Sequence, residues 1–189
     1  MKSYQITEFC HRFIEDHVHP GDVCVDATAG NGNDTAFLCR LVGDGGKVYA
    51  FDIQKEALLH TEEKLRQENL QAKLVLDGHE NMEAYVAEKG EVACIVFNFG
   101  YLPGGDHRVA TCAKTSVTAI KAGLKLLRKG GLMSLCIYSG GDTGFEEKDA
   151  ILDFLKELDS KRYLVIESLY RNRSNHPPIP VQIVKIKGE

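Results

Sequence analysis

The chain alternates short apolar segments with longer amphipathic segments along nearly its whole length, and this alternation limits the folds that it can adopt. Apolar runs that predict β-strands lie at 23–27, 47–53, 72–77, 92–99, 131–139, 162–170 and 181–187. Patterns of helical period follow most of them, at 34–42, 55–70, 81–88, 116–130 and 146–158. Strands that alternate with helices predict an α/β protein with a mostly parallel sheet, because a parallel connection usually crosses over through a helix.

The last two predicted strands break this alternation. They are joined by "RNRSNHPPIP", residues 171–180, in which no helical pattern occurs. This link is too short for a parallel crossover, so the final strand is expected to be antiparallel. We therefore predict a seven-stranded doubly wound sheet with six parallel strands and a reversed last strand. Since no stretch looks like a linker, we expect one domain over 1–189, with an N-terminal helical addition in 1–20.

Composition argues against several broad classes of protein. The net charge of −4 gives no general attraction to nucleic acid, so RNA would have to bind at local patches. No stretch approaches the roughly 18 apolar residues of a membrane span, and the first residues lack the features of a signal peptide, so we expect a cytoplasmic protein. The cysteines form no CxxC pair, and no metal site is expected. Four of them lie in apolar runs and are expected to be buried thiols: Cys24, Cys39, Cys94 and Cys136.

The loop after the first strand reads "DATAGNGND", residues 26–34. In a doubly wound sheet the ligand binds outside the carboxyl ends of the strands, where this loop lies. Gly30 and Gly32 would let a ligand approach the backbone. Asp52 ends the second strand 22 residues after Gly30 and can accept the hydroxyl groups of a ribose. In the simpler interpretation, the glycines only form a tight turn and Asp34 only caps the next helix.

Asp26 ends the first predicted strand as Asp52 ends the second. Together with the reversed last strand, these positions resemble the class I S-adenosylmethionine-dependent methyltransferases, which have a Rossmann-like fold. The third glycine of a dinucleotide fingerprint is missing, with Thr35 near its place, so S-adenosylmethionine fits better than NAD. The resemblance implies that Asp26 contacts the methionine part of the cofactor, directly or through water. It implies further contacts after the second and third strands, at Gln54, Asp77, Gly78 and His79.

The fourth predicted strand ends in "FNFGYLPGGDH", residues 97–107. Amine-methylating members of the class carry Asn/Asp-Pro-Pro-aromatic here, and "NFGY" keeps the first and last of these while both prolines are replaced. An Asn carbonyl and a backbone carbonyl can accept hydrogen bonds from an –NH₂ group and aim its lone pair at the methyl group, while an aromatic ring stacks on a planar substrate. We therefore predict catalytic roles for Asn98, beside the cofactor, and Tyr101, with Asp106 or His107 taking up the released proton. The alternative is a Gly/Pro turn in which Asn98 satisfies backbone groups.

Three segments together, "DATAGNGNDT", "FNFGYLPGGDH" and "NHPPIPVQIVKI", resemble the rRNA methylase family of small bacterial proteins, which includes the MnmM-type tRNA methyltransferases of Gram-positive bacteria. The resemblance implies methyl transfer to the 5-aminomethyl group of the wobble uridine, often with sulfur at carbon 2, to give the methylaminomethyl form. It implies cofactor contacts at Asn31, Asn33, Asp52, Gln54, Gly78 and His79. The amine-holding loop agrees with an amine acceptor but does not reveal a uridine.

The partner that this resemblance implies is a tRNA, bound at its anticodon region, with neither DNA nor a membrane. Because the sixth strand is expected to be parallel, "YRNRSNHPPIP" opens at the same edge as the cofactor loop. Arginines bind phosphates and stack on bases, so we predict substrate contacts in this segment and in the acceptor loop. The predicted contacts are Tyr101, Arg108, Tyr170, Arg171, Arg173, Asn175 and His176. A solvated hairpin loop, stiffened by its prolines, is the simpler interpretation.

Three other functions stay open on the sequence. An rRNA base methyltransferase and a small-molecule amine methyltransferase would use the same pocket, and the latter would have a cramped, non-basic catalytic edge. A nucleotide-binding module without catalysis would share the glycine loop and Asp52 but would have no use for Asn98. A homodimer is compatible with so small an RNA enzyme but does not follow from the residues.

Overall fold

The computed structural model describes residues 5–100, 111–139, 144–174 and 176–188. The α-helices in these ranges are α1 Ile6–Glu15, α2 Asn33–Val42, α3 Lys55–Gln67, α4 Met82–Tyr85, α5 Ala113–Leu126 and α6 Gly144–Lys156. The strands are β1 Val23–Asp26, β2 Lys47–Asp52, β3 Lys73–Leu76, β4 Val92–Phe99, β5 Leu127–Ile137, β6 Tyr163–Glu167 and β7 Ile179–Lys185. A 3₁₀ turn, His79–Asn81, precedes α4.

The strands form one sheet in the order β3-β2-β1-β4-β5-β7-β6. Neighbours among β1 to β5 are parallel, whereas β7 pairs antiparallel with both β5 and β6. Hence β6 is parallel to β1–β5, and among the strands in the described ranges only β7 is reversed. The predicted seven-stranded sheet with a reversed last strand is confirmed. The strand order reverses direction between β1 and β4, and this opens a crevice at the carboxyl edge.

Helices cover both faces of the sheet. On one face α5 and α6 bury Ile120 and Ile151, and on the other α2 and α3 bury Leu38 and Leu65. The central strand β4 is apolar and buried on both faces, as expected of a parallel strand between two helical layers. Asn98 is its one partly exposed residue, so the strand brings a polar side chain to the carboxyl edge of the sheet.

The N-terminal helix α1 lies inside the predicted addition and packs against β5 and β7. It buries Cys10 and Ile14, while Phe9 and Phe13 stay partly exposed. The two buried side chains fix this helix on the sheet.

The boundary between α5 and β5 differs from the prediction. The helix ends at Leu126, and Leu127 already pairs with Val92, so the segment predicted as the last helical turn is strand. The buried ammonium of Lys185 explains this early end, because its Nζ donates to the carbonyls of Leu124 and Leu127 at 3.0 and 2.8 Å. Those carbonyls have no partner within the helix, and a distant lysine satisfies them.

The hairpin of the last two strands is also shifted from its predicted bounds. β6 ends at Glu167, and β7 begins at Ile179, so Pro180 lies in the strand rather than in the connecting loop. Proline is tolerated there because it stands near the strand start, where the lost N–H matters least. The Pro180 carbonyl still accepts a hydrogen bond from the N–H of Ser168 (2.9 Å).

The predicted burial of the strand and helix cysteines is confirmed. The buried thiols are Cys10, Cys24, Cys39, Cys94 and Cys136, whereas Cys112 is exposed. No helix in the described ranges is both long enough and apolar enough to cross a membrane. Those same residues contain no group of three or more metal-binding side chains.

Candidate active site

A cavity of about 570 Å³ opens at the carboxyl edge of the sheet. Loops that follow β1, β2, β3, β4 and β5 all contribute to its wall. Most of the predicted cofactor-binding residues line it: Gly30, Asn31, Asn33, Asp52, Gln54, Asp77, Gly78, His79 and Asn98. The fold therefore brings together residues from separate parts of the chain, as the strand-end rule predicts.

The loop between β1 and α2 is a tight turn that depends on glycine. Gly30 and Gly32 have φ angles of 53° and 74°, a left-handed conformation that side chains disfavour. The Gly32 amide donates to the Ala29 carbonyl (2.8 Å), and α2 begins directly after it. The first amides of a helix have no partner within the helix, so this turn leaves N–H groups available beside the cavity.

Asp52 lies at the end of β2 on the cavity wall. Its Oδ2 accepts the N–H of Gly30 (3.0 Å), and its Oδ1 accepts the N–H of Gln54 (2.8 Å). Two backbone hydrogen bonds thus fix the carboxylate, while each oxygen keeps lone-pair capacity for another donor. Such a rigid, two-pronged acceptor suits the adjacent hydroxyl groups of a ribose.

Asp77 holds the turn after β3 in place. Its Oδ1 accepts hydrogen bonds from the Gly78 amide (2.7 Å) and Asn81 Nδ2 (2.9 Å), and its Oδ2 accepts one from the Tyr85 hydroxyl (2.6 Å). The Tyr85 hydrogen bond is the main reason that the pKa of Asp77 lies below its usual value. This charged carboxylate fixes the turn that brings Gly78 and His79 to the cavity.

His79 presents a neutral ring on the cavity wall. Its Nδ1 lies 3.2 Å from the Ala27 carbonyl, and because a carbonyl only accepts, Nδ1 carries the proton. The ring packs edge-on to Phe97 and Phe99, with centroids 5.7 and 6.0 Å away. Burial lowers the pKa of His79. An uncharged imidazole in an aromatic surround suits the base of a nucleoside.

Asp26 is fully buried beneath the loop and does not line the described part of the cavity wall. Its Oδ2 accepts the Thr35 hydroxyl (2.6 Å), and its Oδ1 accepts the Thr28 amide (3.1 Å). Burial, reinforced by the nearby Asp34 carboxylate, raises the pKa of Asp26 to about 7. Gly32 also lies outside the described wall. Both residues shape the loop, and their predicted direct contacts with a cofactor stay predictions.

The Asn98 amide is oriented by its neighbours. Its backbone N–H donates to Thr28 Oγ1 (2.8 Å), and its side-chain Nδ2 donates to Asp34 Oδ2 (2.7 Å). A carboxylate only accepts, so the NH₂ group must face Asp34, and the amide oxygen Oδ1 is left for a donor from a ligand. The sequence analysis also calls for a backbone carbonyl as an acceptor; the Phe99 carbonyl, next to Asn98, already receives the Tyr138 amide (3.1 Å).

The cavity wall also contains residues that the sequence patterns do not single out: Thr7, Thr28, Thr111, Thr115 and Tyr138. Tyr138 directly follows β5, so the strand-end rule could have found it. Thr7 belongs to α1, and no periodic pattern indicates where that helix packs. Of these residues, Thr28 contacts Asn98 directly, because its Oγ1 accepts the Asn98 amide.

Four predicted acceptor-side residues lie outside the described ranges: Tyr101, Asp106, His107 and Arg108. Their roles stay predictions, as does that of Asn175. The residues on either side of 101–110 are joined, since the Thr111 amide donates to the Gly100 carbonyl (3.0 Å) and the Gly100 amide donates to Thr111 Oγ1 (2.8 Å). The Thr111 hydroxyl in turn donates to Glu147 of α6 (2.8 Å). Burial raises the pKa of Glu147.

The predicted arginine loop follows β6 at the same edge of the sheet as the cavity. Arg171, Arg173 and His176 are exposed, and Tyr170 is half-buried. None of the four lines the described part of the cavity wall. The His176 ring packs edge-on against Phe145 at the start of α6, with centroids 5.6 Å apart. This loop is therefore available as a surface beside the cavity.

The side chains fit an adenosine-bearing cofactor. Asp52 offers a fixed carboxylate for the ribose, and the neutral His79 lies on the wall near it. Ile53 also lines the cavity and is 59 % exposed, which gives an apolar surface for a base. The glycine loop and the amides that begin α2 can receive a carboxylate.

Comparison with known proteins agrees with this site. A family model described as "Putative rRNA methylase" matches residues 48–184. The chain is 37% identical over 193 residues to "tRNA (mnm(5)s(2)U34)-methyltransferase, chloroplastic" of Arabidopsis thaliana, covering 97% of this chain and 69% of that protein.

Two solved structures share both fold and sequence with the chain. A "putative rRNA-methylase" from Clostridium thermocellum aligns with a TM-score of 0.95 and 45% identity, over 98% of this chain and all (100%) of that one. A "putative methyltransferase" from Streptococcus mutans, in complex with SAH, aligns with a TM-score of 0.88 and 41% identity, over 97% of this chain and 99% of that one. The predicted class I S-adenosylmethionine-dependent methyltransferase fold is confirmed.

Proposed function

We propose that this chain, which belongs to the rRNA methylase family, methylates the nitrogen of the 5-aminomethyl group on the wobble uridine of tRNA. The product is 5-methylaminomethyluridine, or its 2-thio form where the tRNA carries sulfur. The chain is an S-adenosylmethionine-dependent methyltransferase. The proposal therefore concerns the acceptor, for which the chain's own residues and the relative from Arabidopsis give separate support.

The orientation of the Asn98 amide is the observation that carries the proposal. Because Nδ2 is held by Asp34 at 2.7 Å, Oδ1 is the atom that can meet a substrate, and it can only accept a hydrogen bond. A primary amine offers two N–H donors and one lone pair. When Oδ1 accepts one N–H, the nitrogen is fixed in direction and its lone pair stays free for attack.

The Arabidopsis relative supports the choice of substrate. Its name specifies a tRNA, a uridine at position 34 and the mnm(5)s(2)U modification, and it aligns with 97% of this chain. The loop with Arg171 and Arg173 lies at the same sheet edge as the cavity and is exposed. Guanidinium groups in that place are suited to the phosphates and bases of an anticodon stem-loop.

In this reaction the protein mainly orients the two reactants and needs to form no covalent bond with them. S-adenosylmethionine, when bound, would supply a methyl group on a sulfonium: the lone pair of a neutral amine would form the new N–C bond while the S–C bond breaks and S-adenosylhomocysteine leaves. Asp52, His79 and the glycine loop would hold the donor, and Asn98, which also lines the cavity, would hold the acceptor. Alignment of two reactants in this way lowers the barrier by removing the entropy of their encounter. The predicted acceptor of the released proton is Asp106 or His107, and methyl transfer to a neutral amine requires neither.

The direct test is methyl transfer from labelled S-adenosylmethionine to total tRNA from cells that lack this protein. Nucleoside mass analysis should show one added methyl group on aminomethyl-type wobble uridine. Transfer only to ribosomal RNA, or only to a small amine, would overturn the proposed acceptor while leaving the methyltransferase in place.

Substitution of Asn98, the residue proposed to hold the acceptor amine, tests the mechanism more specifically. Asn98→Ala should retain SAH binding but transfer methyl roughly 100-fold more slowly, because the amine is no longer held in line. The matched control is Gln67→Ala, whose side-chain amide donates to Glu63 on an exposed helix face (2.8 Å). The control should transfer methyl at the wild-type rate. Unchanged turnover in Asn98→Ala would remove the role assigned to Asn98.

A further inference from the structure

One carboxylate connects the N-terminal helix to the residue that receives the acceptor. Asp34 Oδ1 lies 2.7 Å from His11 Nε2 of α1, and Asp34 Oδ2 lies 2.7 Å from Asn98 Nδ2 of β4. We propose that Asp34, held by His11, is a positioning residue for methyl transfer, because it fixes the Asn98 amide with its oxygen toward the acceptor. The proposal rests on the role of Asn98 in the proposed function.

Asn98 needs such a partner because an amide can bind in two orientations. Rotation by a half-turn about the side chain would exchange Oδ1 for Nδ2 and present donors to a substrate that is itself a donor. The backbone amide of Asn98 is fixed by Thr28 Oγ1 (2.8 Å), but this bond does not set the side chain. Among the described residues, Asp34 is the group that does so, since a carboxylate accepts from NH₂ and repels the amide oxygen.

His11 fixes Asp34 from the other side. Its ring stacks on Phe37 of α2, with centroids 3.7 Å apart and planes inclined by 5°. The histidine and aspartate side chains are only 21% and 16% exposed, so their contact is largely shielded from solvent. Since α1 is anchored by the buried residues Cys10 and Ile14, the imidazole is held by packing on both its helix and its ring face.

The N-terminal helix therefore takes part in building the site. Thr7 lies one turn before His11 on α1 and lines the cavity itself. The helix thus reaches the acceptor side directly through Thr7 and indirectly through His11 and Asp34. In the simpler interpretation, Asp34 only caps α2, but α2 begins at Asn33, so Asp34 lies inside its first turn, and its two carboxylate oxygens contact the side chains of His11 and Asn98.

A double-mutant cycle tests whether Asp34 acts through Asn98. Asp34→Ala should lower kcat by up to roughly 100-fold, with the SAH dissociation constant within about twofold of the wild type. Asp34→Asn keeps one oxygen acceptor and should lower kcat less than Asp34→Ala does. In the Asn98→Ala background, Asp34→Ala should lower kcat no further, because the amide that Asp34 orients is gone. Additive losses in kcat would overturn the proposal.

His11→Phe separates the hydrogen bond from the packing. Phenylalanine can keep the stack on Phe37 but cannot donate to Asp34. This variant should lower kcat in the same direction as Asp34→Ala, and its effect should also vanish in the Asn98→Ala background. The matched control is Asp44→Asn, a carboxylate in the exposed turn after α2, which should leave kcat unchanged. A wild-type kcat for His11→Phe would show that methyl transfer does not depend on the contact between His11 and Asp34, and would overturn the role proposed for His11.

A second measurement needs no substrate, so it separates this inference from the proposed acceptor. The side-chain NH₂ signal of Asn98 in ¹⁵N-labelled, SAH-bound protein can be assigned by its loss in Asn98→Ala. Its proton exchange with water should be slow in the wild type and faster in His11→Phe, although His11 does not touch Asn98. Unchanged exchange would overturn the inference even if wobble uridine is the acceptor. If wild-type protein methylates no wobble uridine while the exchange responds as expected, only the proposed acceptor fails.

A loss of SAH binding in Asp34→Ala would have a different meaning. Asp34 lines the cavity, so a direct contact with the cofactor is the main competing role. In that case the SAH dissociation constant would rise in Asp34→Ala and stay unchanged in His11→Phe. That pair of results would reassign Asp34 to cofactor binding and overturn the positioning role.

Discussion

Gly32 and Thr61 meet where the cofactor loop touches α3, and the contact leaves no room for a side chain. A Cβ atom on Gly32 would lie 2.8 Å from Thr61 Cα and 3.0 Å from Thr61 Oγ1. The Thr61 hydroxyl also donates to the Gly30 carbonyl (3.2 Å). Thus α3 packs against the loop, and the shape of the loop depends on a glycine at position 32.

Gly32→Ala should therefore destabilise the protein more than Gly90→Ala does. The two glycines have closely similar positive φ angles of 74° and 73°, so either substitution costs roughly 1 kcal/mol in backbone strain. Only Gly32 would also collide with Thr61, whereas a Cβ on Gly90 meets nothing within 4 Å. The extra cost of the collision is roughly 1 to 3 kcal/mol. Urea unfolding of both variants measures the difference, and equal losses would contradict the close contact.

Asp52→Asn should weaken cofactor binding. Asparagine has one acceptor oxygen and an NH₂ group, so it cannot accept from both the Gly30 and Gln54 amides and from a ribose as well. Loss of a charged hydrogen bond of this kind costs about 1.5 to 3 kcal/mol, or roughly 10- to 100-fold in affinity. Titration with SAH gives the dissociation constant. Glu56→Gln, which makes the same charge change on the exposed surface of α3, is the control and should bind like the wild type.

The sequence was enough to predict the sheet and most of the residues that the loops after β1, β2 and β3 bring to the cavity, because both follow local rules. The run "VACIVFNF" is apolar throughout and becomes β4 with the predicted bounds. Gly30, Asp52 and His79 lie at or just after the ends of three different strands, and parallel strands bring their carboxyl ends to one edge. A strand-end position is readable from a pattern of a few residues, so these predictions needed no knowledge of distant contacts.

The acceptor side could be predicted only in part, because it depends on contacts between distant residues. Asn98 was found from its motif, but the partner that orients it, Asp34, is 64 residues away. His11 is a further 23 residues before Asp34 and belongs to a helix whose docking site has no sequence signature. Glu147 likewise supports Thr111 from a separate helix. Periodicity gives the buried face of a helix but not the surface that it covers.

Asp26 should make the stability of the protein depend on pH. Its pKa of about 7 in the folded state lies above that of an aspartate in the unfolded chain, about 4. The folded state thus binds the proton more tightly, and stability is greatest below the unfolded pKa. As pH rises through the folded pKa, this contribution to the free energy of unfolding is lost. By pH 8 the loss amounts to roughly 4 kcal/mol.

Asp26→Asn isolates this contribution. Asparagine does not ionise, so the free energy of unfolding should rise relative to the wild type between pH 5 and pH 8. The fixed cost of a weaker bond to Thr35 or Thr28 is the same at every pH and does not change the slope. His79, whose pKa is lowered by burial, titrates in the opposite sense in both proteins and cancels in the difference. Urea unfolding at several pH values gives both curves, and parallel curves would show that Asp26 is ionised throughout.

Replacement of both arginines in the loop after β6 should weaken tRNA binding without affecting the cofactor. Arg171→Gln/Arg173→Gln removes two exposed cations at the catalytic edge. A plot of the logarithm of the tRNA association constant against the logarithm of salt concentration should therefore become shallower, by roughly one unit of slope for each phosphate that is no longer neutralised. Arg66→Gln is the matched control, because α3 packs beside β3 at the opposite end of the sheet and Arg66 pairs only locally with Glu63. Measurement of tRNA binding at several salt concentrations distinguishes the loop after β6 from the exposed surface of α3. If the control variant weakens binding as much as the double variant, the tRNA contacts a different face of the protein.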